Sequence, residues 1–380
     1  MGDSDTHLPP VRSRMVMDAV RKWTAELESD SNLDAEYAQY KRYVYRKYIF
    51  IISCIVVVFI VTGIAVTQGS SNIGFFETYE IMWDHITGNV QDELKDYVVV
   101  TLRMPRVIIG IIAGAGLAVA GAVMQSTLLN PLADPYTTGI SSGASFGATM
   151  AITAGFTVAT GQYAIVLNAF LFSLIPTAII ISLSMVRKSS PVTMIMAGIA
   201  VMYIFNAITT LLMLWANPND LQAVYQWTVG SVARVTWSEA PIMLVITVFG
   251  VIAMMFLSKK INVLATGDEN ATSMGVNATK LRIILLAIVS LMSAVIVSFT
   301  GLIGFVGLVA PHICRMFIGP NNRFLIPAAA VFGASLLITA DLVGRTVFAP
   351  VVLQVGVVMA FLGGFVFLWL LLRKDSKIWS

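Results

Sequence analysis

From Pro135 to Val186 the chain carries not one Asp, Glu, Lys or Arg, and the run from Ile283 to Cys314 is equally free of them. Each run is too long for one membrane crossing, because a helix rises about 1.5 Å per residue and the hydrocarbon core is about 30 Å thick. In lipid every backbone N–H and C=O must find a partner within the chain, which leaves helices or closed barrels. Barrel strands alternate apolar and polar at every second residue, and these runs do not. The chain is therefore read as all-α and polytopic. With 57% hydrophobic and 12% charged residues, against about 25% charged in soluble domains, most of it must be solvated by lipid or by its own helices. Its 380 residues have room for about ten spans.

The boundaries follow from charges, glycines and prolines. Spans one to five are expected at 49–68, 106–128, 136–157, 163–186 and 191–215, with Thr160-Gly161-Gln162 turning the chain between the third and fourth. Spans six to ten are expected at 240–258, 281–301, 303–318, 324–344 and 351–372, the eighth short and glycine-rich. A ten-span permease domain at 49–373 then lies between a polar tail, 1–48, and a short tail, 374–380. The first 48 residues are polar, so the first apolar run reads as a retained span rather than a secretory signal. In the tail, Val16, Val20, Trp23 and Leu27 recur at helical spacing and predict an amphipathic helix. Tyr37, Tyr40 and Tyr43 with Lys41, Arg42, Arg46 and Lys47 suit the headgroup level at the foot of the first span.

Charge tests this layout. With ten spans both termini are cytoplasmic, and only Lys95, Arg103, Arg106, Arg234 and Arg345 of the 24 Lys and Arg fall outside. That excess of cytoplasmic cations is what the positive-inside rule requires. A nine- or eleven-span count would put one basic tail on the wrong side.

No enzyme constellation emerges. His7, His85 and His312 lie in different regions without metal-ligand spacing, and Cys54 and Cys314 read as buried free thiols. The net charge of +3 shows no basic patch suited to nucleic acid. No G-x-x-x-x-G-K-[ST] loop is present, so this chain does not bind ATP by that route. Asp341 is the one carboxylate inside a span. Ion-coupled transporters use intramembrane ionisable groups, so their scarcity points to an energy source elsewhere, with an ion-coupled secondary transporter kept as the alternative.

Glycine is closely spaced in the spans. Gly139, Gly143 and Gly147, with Ser142 among them, form a ladder in span three, and Gly110, Gly114 and Gly121 line span two. Small residues let helices approach in lipid, so the ladder is a packing surface or a pathway wall. Between spans six and seven, Thr266 with Glu269 predicts a capping box and Gly275 a helix stop. This short capped helix is either an ordinary surface helix or a docking element for a cytoplasmic motor.

Several segments occur together and in order: Leu102-Arg103-Met104-Pro105-Arg106, Gly114 to Gln125, Asn130-Pro131-Leu132-Ala133-Asp134-Pro135, Gly139 to Ala144, Trp227 with Gly230-Ser231, Gly267 to Gly275, Gly301 to Arg315, and Ala340 to Arg345. Over about 49–373 the chain resembles the FecCD-type permeases, which serve ATP-binding cassette importers for ferric siderophores, haem and vitamin B12. The resemblance implies the type II importer permease architecture, a homodimer with the substrate path at its interface, two cytoplasmic ATPase subunits that carry ATP and Mg, and an external substrate-binding protein. No cofactor or metal is implied on this chain. Arg103 and Arg345 match arginines that dock the binding protein in a vitamin B12-carrying member; snorkelling to the interface is the other reading. Asp268, Glu269, Ala271, Met274 and Gly275 match the ATPase-coupling helix. Ser190, Pro191 and Val192 match the cytoplasmic gate, with Pro191 and Val192 where that member has Thr and Ser. The 1–48 tail lies outside the resemblance.

Overall fold

The computed structural model describes residues 17–18, 21–22, 31–69, 73–186 and 190–372. The chain divides into two compact units, Met1–Ile49 and Phe50–Ser380. In the first, Lys47 Nζ lies 3.9 Å from the centre of the Tyr43 ring. The residues of the expected amphipathic helix, Val16, Val20, Trp23 and Leu27, lie outside the described set, as do Arg187, Lys188 and the C-terminal basic residues.

The described helices are α1 (Ser31–Thr67), α2 (Phe75–Thr87), α3 (Glu93–Thr127), α4 (Ile140–Ala154), α5 (Ala164–Val186), α6 (Pro191–Leu214) and α7 (Pro218–Thr228). They continue with α8 (Ala240–Leu264), α9 (Asp268–Ser273), α10 (Ala278–Thr300), α11 (Val306–Ile318), α12 (Asn322–Thr346) and α13 (Val355–Leu372). Each of the ten segments expected to cross is helical. Seven are long and apolar enough to cross alone: those ending at Thr67, Thr127, Val186, Leu214, Leu264, Thr300 and Thr346. The other three, α4, α11 and α13, are shorter, at 15, 13 and 18 residues, so the count of ten crossings is approximate.

Helix α3 is the centre of the second unit. It passes through a π-helical stretch, Tyr97–Arg103, and from Pro105 onward is buried on nearly every face by α8, α10, α11 and α12. Glycine makes this possible. A Cβ on Gly121 would run into the Gly307 carbonyl of α11, and one on Gly114 into the Gly333 carbonyl of α12. The same device joins α4 to α5, where Gly143 and Gly147 face the Phe172 and Asn168 carbonyls.

Between α10 and α11 the helix breaks at Gly301, which has φ +73°. The exposed backbone groups are answered by neighbours, as a low-dielectric setting demands. Gly230 N donates to Leu302 O (3.1 Å), Ser231 N to Thr300 O (2.7 Å) and Gly356 N to Gly230 O (2.9 Å). Ile303 N donates to Tyr136 Oη at 2.6 Å. Three interruptions thus meet at one place and satisfy one another.

One local expectation fails. Thr266 does not cap α9: its hydroxyl donates back to Val263 O at 2.8 Å, closing the end of α8. The N-cap is Gly267 at φ +103°, with no side-chain cap. Gly275 does stop the helix, at φ +79°, with Val276 N returning to Ala271 O at 2.9 Å.

Candidate functional site

Two polar clusters lie at opposite ends of the Met104–Thr127 stretch of α3. Just before it, Arg103 is 8% exposed, and its Nη1 donates to Val66 O (2.6 Å) and Thr67 O (2.9 Å) at the end of α1. One turn on, Arg106 grips Asp341 of α12 with two nitrogens, Nε at 3.0 Å from Oδ2 and Nη2 at 2.8 Å from Oδ1. Arg345, one turn beyond Asp341, places Nε 3.2 Å from its Oδ2, close enough for charge attraction but not aligned as a hydrogen bond. Its Nη2 donates to Ala65 O at 3.1 Å. Arg106 and Arg345 therefore share one carboxylate, and Arg103 and Arg345 share the carbonyl end of α1, whose partial negative charge suits cations. They line a cleft of about 480 Å³ with Gln68, Leu102 and Thr346.

Beside this cleft, α2 is tied to the start of α3 by Lys95 Nζ and Glu77 Oε1, 2.6 Å apart, and by His85 Nδ1 with Asp96 Oδ1, 2.9 Å apart. The Gly74 N–H and the Lys95 ammonium hold the Glu77 carboxyl below the usual carboxylate range.

At the far end of α3, α9 turns Ala271 inward and leaves Glu269, Met274 and Gly275 exposed. Its first residue, Asp268, accepts two bonds from Arg282 of α10, 2.6 Å from Nη2 and 3.2 Å from Nη1. Arg282 is 1% exposed, and its Nε also donates to Thr127 O at 3.1 Å. Near it, Arg315 donates to Gln125 Oε1 and to Ala122 O, the latter at 3.3 Å. Ser126 Oγ donates to Asn322 Oδ1 at 3.2 Å, and Asn322 N to Asn262 Oδ1 at 2.8 Å.

The FecCD transport family matches residues 54–373. The chain belongs to that family. A hemin transport system permease of Yersinia pestis is 35% identical over 314 residues, covering 81% of this chain and 92% of the relative. A cobalamin import system permease of Halobacterium salinarum is 36% identical over 287 residues, covering 75% and 76%. Among solved structures, an inward-facing ABC transporter assigned to the metal-chelate type has 26% identity and a TM-score of 0.75, covering 84% of this chain and 98% of that one. The chain is thus a multi-pass membrane permease of the FecCD family rather than an enzyme.

Within this FecCD permease the other singled-out residues have definite places. Ser190 caps α6, accepting from Thr193 N at 3.3 Å; Pro191 occupies the first helical position and Val192 points outward, 64% exposed. Gly139 (φ +84°) turns the chain into α4 and packs on Pro176, while Ser142 Oγ returns to Gly139 O at 2.9 Å. Gly143 and Gly147 are in contact with α5 of the same chain. The structure brings Arg103 and Arg345 together, inside a cleft rather than on an open rim. Sequence reasoning missed that Arg106 and Asp341 complete this group, although the i, i+3 spacing of Arg103 and Arg106 and the i, i+4 spacing of Asp341 and Arg345 put each pair on one helix face. It also counted Arg282 only as a cytoplasmic cation.

Proposed function

We propose that this chain is the membrane-spanning subunit of an ATP-binding cassette importer that carries a metal chelate, such as a ferric siderophore, haem or cobalamin, across the cytoplasmic membrane. Two copies enclose the substrate path. Two cytoplasmic ATPase subunits bind ATP and Mg and press on α9, and an external binding protein delivers cargo at the arginine cleft. Both termini are cytoplasmic, which puts α9 inside and the Arg103 end of α3 outside.

The observation that carries this reading is α9 itself. A six-residue helix with an exposed outer face is pinned from within by a buried arginine. Such a helix can receive a push without unravelling. Arg106 and Arg345 share the one carboxylate of Asp341, and with Arg103 beside them the cleft stays net positive and steers acidic side chains of a binding protein. The turn at Ser190, Pro191 and Val192 is the cytoplasmic gate.

Asp341 argues against the ion-coupled alternative. A carboxylate that carries protons must be free to change partners, whereas this one is clamped by Arg106 and faced by Arg345.

The test is purification of the tagged chain from its native membrane. Recovery with equimolar ATPase subunits, and a particle mass that requires two copies of each, is expected. Recovery of the chain with no nucleotide-binding subunit would overturn the proposal.

A further inference from the structure

We propose that Arg282 is a positioning residue that locks the coupling helix α9 to the cytoplasmic end of α3, so that the two move as one piece. The proposal rests on the importer reading above and goes beyond it by naming the link between motor and pathway.

Arg282 answers two elements at once with one rigid planar group. Its Nη atoms hold both oxygens of Asp268, the first residue of α9, at 2.6 and 3.2 Å. Its Nε holds the carbonyl of Thr127, the last residue of α3, at 3.1 Å. That carbonyl is one of the four that a helix leaves without intrahelical partners, and the negative end of the helix dipole favours a cation there. A lysine could not reproduce this, because its single ammonium lacks the fixed fork of donors. Asp268 is 42% exposed while Arg282 is 1% exposed, so the link runs from the surface to the interior.

The receiving end is built to pass force on. In the last turn of α3, Gln125 donates to Gly307 O at 3.2 Å, Arg315 of α11 holds Gln125, and Ser126 reaches Asn322 of α12, itself bonded to Asn262 of α8. Polar side chains of α8, α10, α11 and α12 thus converge where α3 ends. From there α3 runs, buried, about 36 Å along its Met104–Thr127 stretch to the cleft of Arg103 and Arg106. A displacement of α9 reaches the external face through one packed helix.

The experiment uses the assembled importer in proteoliposomes, with ferric siderophore, hemin and cobalamin each offered as labelled cargo. Uptake per ATP hydrolysed is measured for wild type, Arg282→Ala and Arg282→Lys. Spin labels at Ser273→Cys and Leu129→Cys, both exposed, report the α9–α3 distance on a background with Cys54 and Cys314 changed to alanine. In wild type that distance is expected to stay single and constant between the nucleotide-free and vanadate-trapped states. Arg282→Ala should broaden it and lower uptake per ATP by roughly 5- to 150-fold, the usual range for coupling between two sites, while ATP hydrolysis continues. Arg282→Lys, which keeps the charge and stays folded if the alanine does not, should lower it by at least about fivefold. A merely structural role would lower assembly and hydrolysis together and leave the ratio unchanged. An unchanged ratio in folded Arg282→Lys, or a wild-type distance that changes on trapping, overturns the link alone. Wild type without ATP-driven uptake overturns the importer reading and the link with it.

Discussion

Where α3 crosses α11, Gly121 lies against the Gly307 backbone with no room for a Cβ, and Gly121→Ala tests that contact. The new Cβ would sit within the Gly307 carbonyl and 2.6 Å from Gly307 Cα. Carbon atoms in ordinary contact are about 3.5–4.0 Å apart, and the carbonyl atoms lie closer still than Cα, so the two helices must part by more than about 1 Å. No flexible side chain can yield, because both partners are backbone. Parting opens gaps along the rest of the contact, where α11 is also held by Arg315 and Gln125. Overpacking of a core typically costs about 1–3 kcal/mol, and an immovable neighbour puts this site at about 3. Alanine's better helix propensity returns about 1 kcal/mol, leaving a net loss of about 2. Gly364→Ala on α13 is the control, since nothing lies within 4 Å of its added Cβ; it should be neutral or slightly stabilising. The assay is thermal unfolding in detergent, followed by survival of the monodisperse protein. Equal survival of the two variants would refute the reasoning.

Other outcomes follow from the same geometry. Asp341→Asn leaves Arg106 and Arg345 without their shared carboxylate and should cost about 3 kcal/mol, read as a lower melting temperature. Arg103→Glu with Arg345→Glu should weaken capture of the binding protein, and wild-type association should slow as salt rises; unchanged affinity at low salt would sink the docking role. Asp134, in the connection between α3 and α4, is buried, and burial pushes its carboxyl up to about 6 despite the Thr137 N–H. Its unfolded value is about 3.9. The folded state therefore holds an extra proton between these values, and this group's contribution to stability rises as pH falls from about 7 to about 4. The span is on the order of 2–3 kcal/mol. Asp134→Asn retains a capping oxygen and should remove that component from the pH profile of melting.

The helical segments were legible because lipid leaves so few options: charge-free runs must be helices, and glycines and prolines punctuate them. Gly161 and Gly301 mark real breaks for that reason. The pairing of Gly230 with Leu302 was not legible, since a single backbone contact leaves no periodic trace. Thr266 misled because a hydroxyl near a helix start can equally bond back to the preceding turn, which here belongs to α8. The arginine group around Asp341 and the grip of Arg282 on Thr127 join residues far apart in the chain, and only packing brings them together. Local spacing gave each half of those pairs, and the resemblance named Arg103 and Arg345, but neither supplied the partners.

The most direct measurement is uptake of labelled ferric siderophore, hemin and cobalamin by cells with and without this chain, each before and after ATP depletion. ATP-driven import predicts that one cargo is lost on deletion and equally on ATP depletion, with the membrane potential held. Uptake that needs the chain, survives ATP depletion and collapses with the membrane potential would contradict it.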